Sequence, residues 1–197
     1  MNWTGLCDRI ERHTAENVPE QTTKIPPTPS RVARRTMALA AVGARALLEQ
    51  EESTDPGVEQ TRQRLLKWVE AIGVGDELEP NEWKVIQLPL RAIPPKDALN
   101  ASWRIDGLAV LAWALNHFEL PAHDVLADPG HLLPSVGLLD IVGVRLIDDD
   151  LALGETPIHS APRDRFQTAL STALERHLAA NWLRGDSARY SDTDTST

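Results

Sequence analysis

The chain has 197 residues, with 20 Lys+Arg against 29 Asp+Glu and a net charge of -9 at neutral pH. A single Cys excludes a disulfide framework and a Cys-based zinc site, and the acidic balance speaks against a nucleic-acid-binding domain, which needs a basic face. Residues 1–75 hold equal numbers of basic and acidic side chains, so the whole excess of negative charge lies in residues 76–197. Six Trp accompany one Tyr and two Phe, so most of the large aromatic surface is indole.

Residues 1–27 read as an N-terminal arm. Trp3, Leu6 and Ile10 share one face of a short helix, and Asp8, Glu11 and Glu16 break any signal-peptide pattern. No apolar run in the chain approaches the ~20 residues of a membrane span. The expectation is a soluble cytoplasmic protein. Pro19 to Pro29 form a linker that regular helix cannot enter.

The domain proper is expected over residues 28–185. Thr28-Pro29-Ser30 is a helix start, with Thr28 as cap, and the helix should reach about Gln50. Met37–Leu48 is apolar nearly all round and half Ala or Gly, which predicts a buried helix in close contact with its neighbours. Arg31, Arg34 and Arg35 crowd its first turns, where the helix dipole opposes positive charge. They should therefore reach carboxylates elsewhere; an anion site is the functional alternative. Asp55-Pro56 opens a second, amphipathic helix with Val58, Leu65, Val69 and Ile72 on one face and Trp68 beside it, stopped by Gly73 and Gly75.

Glu79-Pro80-Asn81-Glu82 opens a short helix carrying Trp83 and Ile86. A long helix follows from about Lys96 to His117, apolar all round at Leu108–Leu115. Pro129-Gly130 and Pro134 punctuate loops around a short helical turn. Alternation at Val142, Val144 and Leu146, the Asp148–Asp150 turn and Leu151 to Ile158 read as a small β-hairpin near residues 142–159; a helix ending at Gly154 is the other option. In the last helix Phe166, Leu170, Leu174, Leu178 and Trp182 recur every fourth residue, and Gly185 stops it. Residues 186–197 read as an acidic polar tail that frays. The fold class is thus mainly α: a single compact domain of five or six helices around two buried ones.

No motif specifies an activity. The six histidines form neither a helical HxxxH pair nor HExxH. Asp148–Asp150 with Glu155 lacks the alternation and glycine of a calcium loop. There is no GxSxG elbow and no Gly-rich phosphate loop between strand and helix. The expectation is no catalytic set, no metal and no cofactor. Two polar spots do interrupt buried helices: Trp103-Arg104 with Asp106, and Glu175-Arg176-His177 followed by Asn181-Trp182. An Arg entering a core must be paired. An inter-helix ion pair such as Arg104 with Glu175 is the structural interpretation, and a ligand or partner site on the same residues is the functional one.

These blocks also carry a resemblance. Arg31-Val32-Ala33-Arg34-Arg35 leading into Met37–Leu48, Leu66-Lys67-Trp68, Leu78-Glu79-Pro80-Asn81-Glu82, and above all Ala101-Ser102-Trp103-Arg104-Ile105-Asp106-Gly107-Leu108 resemble the bacterial domain-of-unknown-function 4272 family. Glu175-Arg176-His177, Asn181-Trp182 and the Thr-bearing tail extend the resemblance over about residues 28–197. It implies a mostly helical domain and no assigned activity. Where that family carries Glu and Ala, this chain has Asp106 and Gly107, and glycine in a helix costs about 1 kcal/mol against Ala.

Two functions follow as expectations. The first is a non-enzymatic interaction or accessory protein whose acidic surface meets a protein partner, a basic one being the natural complement; the oligomeric state is open. The alternative is a small-molecule or anion-binding domain, enzymatic or not, with a polar cleft around Arg104 and Glu175. Arg104 discriminates: fully paired in a filled core it is structural, whereas unpaired donors facing an open cleft favour a ligand site.

Overall fold

The computed structural model describes residues 24–51, 56–138 and 162–195. Six α-helices lie among them: α1 (Pro29–Gln50), α2 (Pro56–Ile72), α3 (Pro80–Gln87), α4 (Pro95–Ala114), α5 (Pro129–Ser135) and α6 (Pro162–Leu183), with a 3-10 turn at Gly75–Glu77. All six begin on a proline. Its fixed φ suits the first turn, and its missing N–H is one the first turn would leave unpaired anyway. Side chains complete several starts. Thr28 Oγ1 accepts from Arg31 N at 3.3 Å, and Asp128 Oδ1 accepts from Gly130 N at 2.9 Å. Glu79 and Glu82 form a reciprocal capping box at α3.

α4 is the central element, with its most extensive contacts on α1 and then on α6. Small residues make this possible. Ala38, Ala40, Ala41, Ala44 and Ala46 of α1 are completely buried, as are Leu108, Ala109, Leu111 and Ala112 of α4. At the crossing, Ile105 fills the space where a Cβ on Gly43 would stand. α4 ends at Ala114, short of the expected His117, because Asn116 takes a left-handed backbone (φ 60).

Three expectations about faces need correction. Leu170 and Leu174 are 42% and 43% exposed, while α6 buries Thr172, Ala179, Asn181 and Trp182. An every-fourth-residue stripe rotates by about 40° per step on a helix of 3.6 residues per turn, so it cannot keep one face on the core. Trp113 is 55% exposed, one residue past the buried end of α4. Ile72, placed on the apolar face of α2, is also exposed, whereas Leu65, Trp68 and Val69 are buried as expected. No strand occurs among the described residues. The small β-hairpin expected near residues 142–159 lies outside them, as does the arm up to residue 23. Among the described residues, no helix is long and apolar enough to cross a membrane.

The tail is the largest departure. Rather than fraying from Asp186, the segment runs back across the domain. Arg31 Nη2 donates to Ala188 O at 2.6 Å, Ser191 N donates to Glu79 Oε1 at 2.8 Å, and Asn181 Nδ2 donates to Asp194 O at 2.9 Å. Tyr190 and Thr193 are buried. One aromatic anchor and three backbone clamps outweigh a polar composition that on its own predicts solvation.

Candidate functional site

Charged side chains from four elements converge behind the α1–α4 crossing. Arg35, on the second turn of α1, is 1% exposed. It meets Glu82 of α3 through two parallel bonds, Nη1 to Oε2 at 2.8 Å and Nη2 to Oε1 at 2.6 Å. Glu82 is held in turn by the capping box, accepting from Glu79 N at 3.0 Å, and its Oε1 lies 3.8 Å from Arg104 Nε. Arg104, at mid-α4, donates Nη1 to both carboxylate oxygens of Glu175 on α6, each at 2.9 Å. The result is an alternating chain, Arg35–Glu82–Arg104–Glu175, in which every charge has an opposite neighbour. The inter-helix pair expected between Arg104 and Glu175 is present.

Tyr190 closes this chain from behind. Its ring lies under the Arg35 guanidinium at 4.3 Å and beside that of Arg104 at 5.8 Å, with Trp182 edge-on at 5.8 Å. Arg31 covers the other ring, that of Trp182, at 5.3 Å. The Tyr190 hydroxyl is buried and has no hydrogen-bond partner. It occupies the position a Cβ on Gly107 would need. The glycine that weakens α4 by propensity is therefore the socket of the tail's aromatic anchor.

A second cluster lies beside it, Asp106 two residues along α4 from Arg104 and Arg176 next to Glu175 on α6. Arg176 donates to Asp106 Oδ1 at 2.9 Å and spans a loop, donating to Pro121 O at 3.2 Å and Ala122 O at 2.9 Å. Asp106 also accepts from Ala127 N at 3.3 Å. These bonds pin residues 121–127 to the core. Asn181 holds the tail and meets His177 Nε2 at 3.0 Å. Of the residues singled out from sequence, Arg104 and Glu175 come together, as do Asp106 and Arg176, and Trp182 is fully buried. Trp103 is half-buried on α4 and takes part in neither pair.

Burial sets the titration of these groups. It pushes the carboxyls of Asp106 and Glu175 above their ordinary values, and the facing Arg176 and Arg104 only partly restore them. Burial likewise drives the Tyr190 phenol upward, so it stays neutral. For Arg104 burial works against the charge, but Glu175 and Glu82 outweigh it and the net shift is upward.

Sequence reading expected a carboxylate for Arg35 without naming Glu82, and passed over Arg45 and Tyr190. Arg45 lies within the Ala-rich run of α1, completely buried. It donates to Glu49 at 2.8 Å, Leu88 O at 3.0 Å and Pro89 O at 2.9 Å. Glu49 in turn accepts from Ile93 N at 3.1 Å. The arginines at the start of α1 reach protein acceptors as expected: Arg31 pairs with Glu77, Arg34 with Asp76, and Arg35 with Glu82. Each of the three thus has a carboxylate partner within the protein.

One open cleft touches this network. It has a volume of about 230 Å³ and lies between α3 and the first half of α4. Val42, Val85, Ile93 and Ala101 form an apolar floor, and Asn81, Lys84, Asp97, Asn100 and Arg104 supply polar groups. Asp97, Asn100, Ala101 and Arg104 share one helical face by their spacing. Among the described residues, Arg104 Nη2 has no hydrogen-bond partner: Nη1 serves Glu175, and the contact to Glu82 is through Nε. Glu175 is not part of the lining. No group of three or more His, Cys, Asp and Glu able to hold a metal ion occurs among the described residues.

A family profile described as "Domain of unknown function (DUF4272)" matches residues 11–133. The chain belongs to this family. The DUF4272 match takes in Arg35, Glu82, Arg104 and Asp106, together with the cleft, and stops before α6 and the tail. Glu175, Arg176, Asn181 and Trp182, where the resemblance seen in the sequence extends further, therefore lie beyond the matched segment. Comparison with curated proteins and with solved structures gives no match.

Proposed function

We propose that this DUF4272 protein is a non-catalytic binding domain whose site is the α3–α4 cleft, and that the site takes a small aliphatic carboxylate on Arg104. The observation that carries this reading is that Arg104, 21% exposed, lines an open cleft while one of its terminal nitrogens has no hydrogen-bond partner among the described residues. Arg104 is ion-paired with Glu175 and also lines the cleft, so it meets neither extreme of the structural and ligand alternatives in full, and its place in the lining supports the ligand reading. Around it the Lys84 ammonium and the amide N–H groups of Asn81 and Asn100 can donate, and the amide oxygens and the Asp97 carboxylate can accept. A carboxylate ligand would take up the donors of that set, and guanidinium to carboxylate is a charge-assisted bond. The floor of Val42, Val85, Ile93 and Ala101 suits a short hydrocarbon portion. A volume of about 230 Å³ limits the ligand to a small molecule.

Ligand-observed NMR with a panel of two- to five-carbon mono- and dicarboxylates tests this. The expected result is saturable binding to the native chain that disappears in Arg104→Gln and weakens in Asn100→Leu. No binding by the native chain, or unchanged binding by folded Arg104→Gln, refutes it.

A second reading has its own support. The excess negative charge is confined to residues 76–197, and a face of that sign would steer a basic protein partner at low ionic strength. On this reading the domain is a cytoplasmic accessory protein. Its test is salt-dependent co-elution with a basic partner.

A further inference from the structure

We propose that residues 186–195, bent over 188–192 with Thr193 N donating to Tyr190 O at 3.3 Å, occupy in cis a groove built to bind a turn-forming peptide, and that a similarly turned, aromatic-anchored segment of another polypeptide takes the groove when the tail lifts away. Three side chains of the helical body each hold a backbone group of the segment, at a spacing of three residues. Arg31 of α1 donates to Ala188 O, Glu79 at the cap of α3 accepts from Ser191 N, and Asn181 of α6 donates to Asp194 O. Such clamps read the main chain and are indifferent to side-chain identity, which is how peptide grooves obtain affinity. A single large side chain, Tyr190, enters the body, and its socket is complete: two guanidinium faces, the Trp182 edge and the bare Gly107.

The native occupant fits this socket imperfectly. The phenol hydroxyl is buried without a partner, so the socket recognises the ring and penalises the oxygen. The anchor it fits best is Phe. The tail is held by this anchor, the three backbone clamps and the Lys24–Asp186 ion pair at 2.7 Å, and with few apolar contacts of its own it opens before the helical core does. The hinge is Gly185, whose left-handed backbone (φ 83) turns the chain away from α6. The partner is therefore a turn-forming segment with a Phe at the position of Tyr190 and polar residues around it. This inference is independent of the cleft: Arg104 contributes to both, but the groove stands if no carboxylate binds.

The test uses the full chain and fluorescein-labelled peptides of residues 186–195, carrying the native Tyr190, Tyr190→Phe or Tyr190→Ala, read by fluorescence anisotropy. The host chains are native and Tyr190→Ala, the latter having lost the anchor of its own tail. The Tyr190→Ala chain is expected to bind the Phe peptide about tenfold more tightly than the Tyr peptide, the usual scale of one unpaired buried polar group. The Ala peptide should not bind measurably, and the native chain should bind every peptide at least tenfold more weakly than the Tyr190→Ala chain. A folded Tyr190→Ala chain that binds none of the peptides, or all three alike, overturns the proposal. Should Tyr190→Ala fail to fold, a protease site inserted after Gly185 and cut after folding decides the matter. Exchange of the severed tail for labelled Phe peptide supports the groove, and a cut chain that takes up no label overturns it.

Discussion

Gly107→Ala should destabilise the protein, although an exposed helical position would gain from the same change. In a helix interior, Ala is favoured over Gly by about 1 kcal/mol. Here the new Cβ would collide with the Tyr190 hydroxyl, and the ring cannot retreat freely because Arg35, Arg104 and Trp182 surround it. Overpacking of this kind costs about 1–3 kcal/mol, so the net effect is a loss of about 1 kcal/mol. Tyr190→Phe removes the colliding oxygen. The Cβ then meets only ring carbon Cζ and Glu175 Oε2, both at 3.5 Å, which is ordinary contact. In that background Gly107→Ala should stabilise by about 1 kcal/mol, a reversal of sign with a coupling of about 2 kcal/mol. Tyr190→Phe alone should also stabilise, since it deletes a buried hydroxyl without a partner. Urea unfolding of the four members of the cycle, followed by far-UV circular dichroism, reads these differences directly. An equal loss from Gly107→Ala in both backgrounds would refute the socket.

Arg35→Ala should cost about 4 kcal/mol, because it strands the buried Glu82. Arg104→Ala should cost less, about 2 kcal/mol, because that side chain is 21% exposed and Glu175 16% exposed; equal thermal shifts would contradict the ranking. Glu175 and Asp106 both have folded pKa values raised by burial, so the folded state holds more protons than the unfolded one above the ordinary carboxylate range. Their contribution is complete at low pH and is lost as pH rises through the raised values. Glu175→Gln should therefore flatten the decline of the urea midpoint above about pH 4, and superimposable profiles would refute it. Leu174→Ser, on an exposed face of α6, should change stability by no more than about 0.5 kcal/mol; a melt lowered by several degrees would show that the residue is covered.

Helix positions were legible because each start carries a proline, joined at α1, α3 and α5 by a polar cap, which is a local signal. The Arg104–Glu175 pair was legible for a different reason: an arginine in an apolar helix must find a counter-charge, and few carboxylates lie on the facing helix. That Arg35 needs a carboxylate was legible from its place against the helix dipole, but Glu82 escaped as its partner because a capping box already explains it. Arg35 sits in a cluster of three arginines, and Glu82 completes a capping box, yet the same carboxylate performs both tasks. Arg45 was lost in the apolar average of its own helix. The cleft was half visible, since Asp97, Asn100 and Arg104 share a face by spacing, but no sequence period brings Asn81 and Lys84 opposite them. Tyr190 left two faint marks far apart in the chain: the only Tyr, in a polar tail, and a glycine in a helix interior that would otherwise prefer Ala.

The buried charges answer a problem posed by the helices themselves. α1 and α4 meet through alanines and a glycine, and such smooth surfaces offer few knobs to set how far one helix slides along another. A shift of α4 by one turn, about 5.4 Å, would leave much of that apolar contact intact. It would, however, carry Arg104 away from Glu175 and Asp106 away from Arg176 at once, stranding four charges in a poorly hydrated interior. The same shift would move Gly107 out from under Tyr190 and close the socket of the tail. Burying these ions adds little net stability compared with well-packed apolar side chains. Their effect is on the alternatives, which they make expensive, and the Ala-rich core is able to pack closely because register is fixed by charge.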